Sequence, residues 1–443
     1  MVYILEENPN FSLGGASKWW LHHSITALQN ELDKQGAKLY LFKGEASLII
    51  PTLAKKVSSS HIVCSRLYEP EAIKRDQQLK KSLATKNITL DITQGNIIYN
   101  PKDIRNKSNT VYRVFTPFYK ACLNKGIPTE LIDKPTSFDT YTYSHSNANL
   151  DELNLLPTLS WDSGLKKTWQ PGELAAHNVL EQYIQEGLTN YLSGRDYPSK
   201  DNTSHLSPYL HFGEISPRRI INRLNQVKYE SSKLADNAEG LIRQLLWREF
   251  SYHMLVNFPQ TTSKPYLEKF NEFPWKRANK KLERAWQQGQ TGYPVIDAGM
   301  RELWQTGYMH NRVRMIVASF LTKNGLLHWK TGAKWFWDTL VDADLAQNTM
   351  NWQWVAGCGV DASPYFRIFN PVTQSKKFDP EGIYIRHWCP ELKLLSNKYI
   401  HTPWIAPKPD LQNANITLDI DYPNPILDLK ATRERALLLY KSL

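Results

Sequence analysis

Apolar and polar positions change rhythm once along the chain. Up to about residue 125, short apolar runs alternate with helix-period segments. VYILE (2–6), AKLYLF (37–42) and SHIVC (60–64) read as strands, and residues 88–98 carry further strand signal. Residues 16–35 place Trp19, Leu21, Ile25, Leu28 and Leu32 at helical spacing, and residues 45–57 and 69–86 also read as helices. Strands alternating with helices of this length predict βαβ units and a doubly wound parallel sheet. Residues 1–125 are therefore expected to form an α/β domain. Such sheets take ligands beyond the carboxyl ends of their strands, but no glycine-rich phosphate loop is visible, and Gly14 with Gly15 is too little to place one.

Residues 126–170 are rich in Pro, Ser, Thr, Asn and Asp and read as an irregular interdomain linker. Beyond them, residues 171–443 read as an all-α domain. Helix-period runs recur at 173–192, 216–226, 236–256 and 293–345. The expected fold class is α/β followed by all-α.

Charge adds a partner. A formal net charge of +11 and a pI near 9.2 point to an anionic partner, nucleic acid first, or to a merely basic protein. The four cysteines are scattered without a CxxC pair, which argues against a disulfide scaffold and a zinc site. No apolar run approaches the roughly 18 residues of a membrane span, and the N-terminus lacks signal-peptide character. A cytoplasmic monomer is expected.

Four groups of residues carry candidate chemistry. The run 291–380 mixes Trp304, Trp329, Trp335, Trp337, Trp352 and Trp354 with charged side chains. It reads either as the wall of a large, partly polar pocket or as a Trp-rich core with satisfied ion pairs. Within it, Val313, Ile316, Val317, Phe320 and Leu321 predict a buried helix over 308–323, with Asn311, Arg314 and Met315 on neighbouring faces. Arg314 and Asp342 are candidates for a buried ion pair, followed by Asp344 and Asn348. Near Tyr191, the cluster Thr203, Ser204 and Ser207 reads as an anion cradle at a helix start or as an ordinary N-cap. Gln244 and Trp247, three apart on a helix, suit either reading a base edge or filling a core. Arg312, Arg367, Lys376 and Lys377, interleaved with Trp354, Tyr365 and Phe366, suit phosphates and stacked bases or a solvated face.

Taken together, TSHLSPYLHFGEISPR, LLWREFSYH, TGYPVIDAGMREL, MHNRVRMIVASFL, WFWDTLVDADLAQN and NWQWVAGCGVDASPYFRIFNP resemble the DNA photolyase/cryptochrome family, with ASKWWLHHSI and RLYEPEAIKRD matching earlier in the chain. The resemblance implies FAD folded into a U inside the helical domain. Tyr191, Thr203, Ser204, Leu206 and Ser207 would hold its phosphates and ribose. Asn311, Arg314, Asp342, Asp344 and Asn348 would surround its ring, with Asn348 facing N5. Trp352, Trp329 and Trp275 match the family's electron-transfer chain, innermost to outermost. Trp247 and Trp354 would flank a pyrimidine dimer in DNA, bordered by Gln244, Asn311 and Met315, while Arg312 and Arg367 would contact phosphates.

The implied activity is light-driven repair of cyclobutane pyrimidine dimers. A cryptochrome-like photoreceptor and (6-4) photoproduct repair are the alternatives. Many dimer photolyases carry Glu where this chain has Gln244. The (6-4) branch shares the Gln but has His where this chain has Asn311 and Met315. The resemblance begins at the family's second strand, which implies either a misassigned start or a sheet that lacks its central first strand and exposes edges. RLYEPEAIKRD lacks the Asn-Glu pair some members use for a folate antenna, which leaves the identity and presence of a second chromophore open.

Overall fold

In the computed structural model the described residues are all of the 443 except 7–11, 129–130, 133, 142, 144–147, 277–278 and 362–365. Strand β1 (Val2–Leu5) pairs in parallel with β2 (Tyr40–Lys43), with Val2 opposite Tyr40. Strand β3 (His61–Ser65) pairs in parallel with β4 (Thr89–Thr93), with His61 opposite Thr89. The expected parallel α/β arrangement and the helical remainder are both present, and among the described residues the strands fall into two separate two-stranded parallel sheets. Among the described residues, β1 and β3 each pair with one neighbouring strand.

A two-stranded sheet is marginal by itself and needs a helix against one face. Helix Pro70–Ala84 supplies it: Leu79 and Leu83 pack with Leu90, Ile62 and Cys64. The opposite face stays open, and Val63 is 61% exposed.

The rest is helical. Gly307, at φ +67, ends helix Pro294–Thr306. The next helix starts at Asn311, three residues later than the expected 308, because His310 Nδ1 accepts the Arg312 N–H at 3.1 Å and caps it there. It ends at Ser319 in a π-helical turn, Phe320–Asn324. Helices Trp329–Thr339 and Leu345–Ala356 follow, so the periodic run 293–345 is a chain of short helices. Their inward faces form the largest core, with Ile296, Val313, Val317 and Trp352. The segment read as an irregular linker contains helix Ser163–Thr168, whose Leu165 is buried in a second core.

Helix Ala235–Asn257 joins the two parts of the molecule. Glu249 Oε2 accepts the backbone N–H groups of Ile98 and Tyr99 at 2.8 and 3.1 Å, and Arg248 donates to the Asn96 carbonyl at 2.7 Å. Among the described residues no helix is long and apolar enough to cross a membrane.

Candidate functional site

Four helices meet around a cavity of about 390 Å³. Helix Ala235–Asn257 contributes Gln244 and Trp247, and helix Asn311–Ser319 contributes Asn311, Arg314 and Met315. Asp342 and Asp344 come from the turn after Trp329–Thr339, and Asn348, Trp352 and Trp354 from helix Leu345–Ala356. The local cause is plain in that last helix. Asp344 Oδ1 accepts the Gln347 N–H at 2.9 Å and fixes its start. Asn348 and Trp352 then recur at four-residue spacing, on one face.

Arg314 and Asp342 form a two-pronged pair, Nη1 to Oδ1 at 3.1 Å and Nη2 to Oδ2 at 2.9 Å. Arg314 Nε also donates to the Met309 carbonyl at 2.6 Å. Burial works against the guanidinium charge, but the Asp342 carboxylate outweighs it and raises the Arg314 pKa. Both readings of this run therefore hold: the ion pair is satisfied, and it also lines a cavity.

Asp344 Oδ2 accepts from the Tyr252 hydroxyl and lies 3.4 Å from His211 Nδ1. Burial opposes its charge, but His211, Arg248 and Tyr252 hold the carboxyl down to about 2. The Asn348 amide donates to the Ala333 carbonyl at 2.9 Å. The Gln244 side chain has no hydrogen-bond partner among the described residues.

The remaining candidates lie outside the lining. Tyr191 is buried, and its hydroxyl accepts from Arg195 at 3.2 Å. Thr203 Oγ1 pairs with His205 Nε2 at 3.3 Å, Ser204 is half-buried beside it, and Leu206 is buried. No side chain caps helix Ser207–Phe212, so the N-cap reading does not hold there. Ser207 Oγ donates to Asp342 Oδ2 at 2.7 Å, which ties this loop to the cavity's ion pair.

Arg312 is paired with Asp196 at 2.7 Å and lies over the Phe378 ring. Arg367 is exposed and lies over Phe369, and its carbonyl accepts from the buried Lys323 ammonium. Lys376 and Lys377 are exposed. Tyr365 lies outside the described residues.

Trp352 and Trp329 are buried and Trp275 is half-buried. Trp329 and Trp275 both pack on His328, at 5.5 and 5.3 Å between ring centroids. Sequence reasoning missed Trp286, which sits edge-on to Trp352 at 6.2 Å, and Phe336, at 5.0 Å. A Trp on the apolar face of helix Lys280–Gln287 was the available signal for the first. His211 and Tyr252 were missed too: they lie within the segments TSHLSPYLHFGEISPR and LLWREFSYH, but no role was assigned to either.

This arrangement places the protein among helical proteins that enclose a polar, indole-walled cavity, and comparison with known proteins narrows the class. Residues 241–442 match the family model for the FAD binding domain of DNA photolyase, and residues 1–136 match that for DNA photolyase. The chain is 44% identical to the deoxyribodipyrimidine photo-lyase of Agrobacterium fabrum over 441 residues, covering 99% of this chain and 91% of the relative. It is 36% identical to Cryptochrome-2 of Arabidopsis thaliana, covering 98% of this chain and 72% of the relative. The crystal structure of a bacterial class III photolyase from Agrobacterium tumefaciens superposes with a TM-score of 0.94 at 43% identity, covering 100% of this chain and 91% of that one. The chain belongs to the DNA photolyase family.

Proposed function

We propose that this protein repairs cyclobutane pyrimidine dimers in DNA with light, using FAD. The observation that carries this reading is the single cavity into which Gln244, Trp247 and Trp354 project beside Arg314, Asp342 and Asn348. The residues fit a flavin. The cavity offers planar aromatic walls, a fixed guanidinium–carboxylate pair and amides with hydrogen-bonding capacity left over. The Asn348 side-chain oxygen has no donor among the described residues.

Asn311, Arg314, Asp342, Asp344 and Asn348 hold the ring, and Tyr191, Thr203, Ser204, Leu206 and Ser207 hold the phosphates and ribose. When bound and reduced, FAD supplies a light-excited one-electron donor. The protein's own part is binding, orientation and exclusion of water. Trp247 and Trp354 receive an extruded, poorly stacked dimer between them. Gln244 donates an amide hydrogen bond to it but has no proton to transfer. Asn311 and Met315 border it, and Arg312 and Arg367 meet phosphates. The indoles of Trp352, Trp329 and Trp275 form an electron path between cavity and surface. The net charge of +11 favours approach to single- or double-stranded DNA. The protein works as a cytoplasmic monomer, and a second chromophore of undetermined identity serves as antenna if one is carried.

The test illuminates the flavin-loaded protein with oligonucleotides carrying one cyclobutane dimer or one (6-4) photoproduct. Loss of the dimer alone is expected. Loss of the (6-4) lesion, or of neither, contradicts the reading.

A further inference from the structure

The two indoles that flank the cavity are joined from behind by one residue. The ring of Phe115 lies flat against Trp247, with centroids 3.6 Å apart and planes 11° apart. Phe115 is buried and opens helix Phe115–Lys125, so its backbone N–H has no acceptor within the helix. That N–H donates to Asp361 Oδ2 at 3.3 Å. On the other side, Trp354 Nε1–H donates to the Asp361 backbone carbonyl at 2.9 Å. Asp361 thus holds one wall with its main chain and, through Phe115, the other with its side chain.

The chain is folded to bring it there. Helix Leu345–Ala356 ends at Gly357, at φ +87. The N–H groups of Gly357, Cys358 and Gly359 all converge on the Gln353 carbonyl, at 3.0 Å each, and the chain doubles back over Trp354. Asp361 itself sits at φ +51, in the left-handed region that is costly for most side chains and tolerated by Asp and Asn. Arg243 also lies over the Phe115 ring, at 5.5 Å from its centroid.

We propose that Asp361 is a positioning residue that sets the gap between Trp247 and Trp354, and with it the affinity for an extruded pyrimidine dimer. The proposal rests on the repair reading and deepens it. Stacking depends on close contact across both faces of the guest, and a small widening forfeits much of it. Asp361 does not line the cavity, so it acts through the two indoles and leaves the reacting atoms alone.

Two variants separate the clasp from the backbone that presents it. Asp361→Gly keeps the positive φ and the carbonyl to Trp354 but removes the carboxylate. Asp361→Asn keeps the backbone preference and an acceptor for Phe115. The full-length, flavin-loaded proteins are compared by KM for dimer-containing oligonucleotide, by saturating repair rate, and by the near-UV circular dichroism of the aromatic side chains without DNA. The Gly variant should raise KM about fivefold, the size of one net hydrogen bond. Its saturating rate should stay within about twofold, as for a loss of uniform binding, and its near-UV signal should change. The Asn variant should restore all three. A Gly variant with wild-type KM and aromatic signal overturns the proposal, and so does an Asn variant as impaired as Gly. If the wild type repairs nothing, the repair reading fails, and the near-UV comparison with its Asn rescue still decides whether the clasp exists.

Discussion

Gly332 lies directly against the indole of Trp352. A Cβ at Gly332 would stand 2.0 Å from Trp352 Cη2, so the helix that starts at Trp329 packs on the cavity wall with its bare backbone. Gly332→Ala gains a little helix propensity but must push a buried ring. Overpacking should dominate and destabilise by about 1–3 kcal/mol. Thermal unfolding should fall and the flavin retained on purification should drop. An unchanged midpoint with full flavin would show that Trp352 yields freely.

The Arg314–Asp342 pair should tolerate neutralisation badly. Asp342→Ala leaves a largely buried guanidinium without its carboxylate, a loss of about 3–5 kcal/mol for such pairs. Flavin absorbance relative to protein should fall sharply, and urea unfolding should move to lower concentration. Flavin content and stability like wild type would remove the pair from the binding site.

Much of this site was legible in the sequence, for a physical reason. Asn348 and Trp352 share a helix face by spacing alone, and Arg314 and Asp342 stand out as charges inside an apolar run. Asp344 illustrates the limit. Its partners Tyr252 and His211 lie 92 and 133 residues away, and nothing local in either segment encodes the meeting. Phe115 against Trp247 is a similar case, because a Phe at a helix start reads as core wherever it packs. The strands were legible from their apolar runs, but the division into two sheets was not, since pairing is decided by which strands become neighbours. The unbroken helix period over 293–345 hid its interruptions, because the capping side chain of His310 outranks periodicity at a helix start.

Trp352→Phe should slow photoreduction of oxidised flavin and leave repair by pre-reduced protein intact. Transient absorption and a dimer count from the same preparation check both halves. Equal photoreduction rates would take Trp352 off the electron path, and Trp286 would then be the next indole to test.

Gln244 faces the cavity without a hydrogen-bond partner among the described residues. Gln244→Glu should raise the repair yield per photon on cyclobutane dimers, because a carboxylic acid can both donate a hydrogen bond and release a proton. The gain should fade as pH rises and the new carboxyl ionises. An unchanged or lower yield at every pH would contradict this role.

Glu249 links stability to pH. Burial pushes its carboxyl up to about 7, against the ordinary 4.5, while Arg248 and the Tyr99 and Ile98 N–H groups only partly counter this. A carboxyl raised in the folded state contributes stability below about pH 4.5 that is lost as pH rises through about 7. The loss should be on the order of 3 kcal/mol. Glu249→Gln keeps an acceptor for both N–H groups and cannot ionise. Its urea midpoint should therefore fall less than that of wild type between about pH 4.5 and 7. Parallel pH profiles would contradict the assignment.

The most direct measurement is a dimer count. The flavin-loaded protein is mixed with an oligonucleotide carrying one cyclobutane dimer, divided, and kept in blue light or in darkness. Dimers should disappear in the light and persist in the dark. Equal dimer content in both halves, with flavin bound throughout, would contradict repair by this cavity.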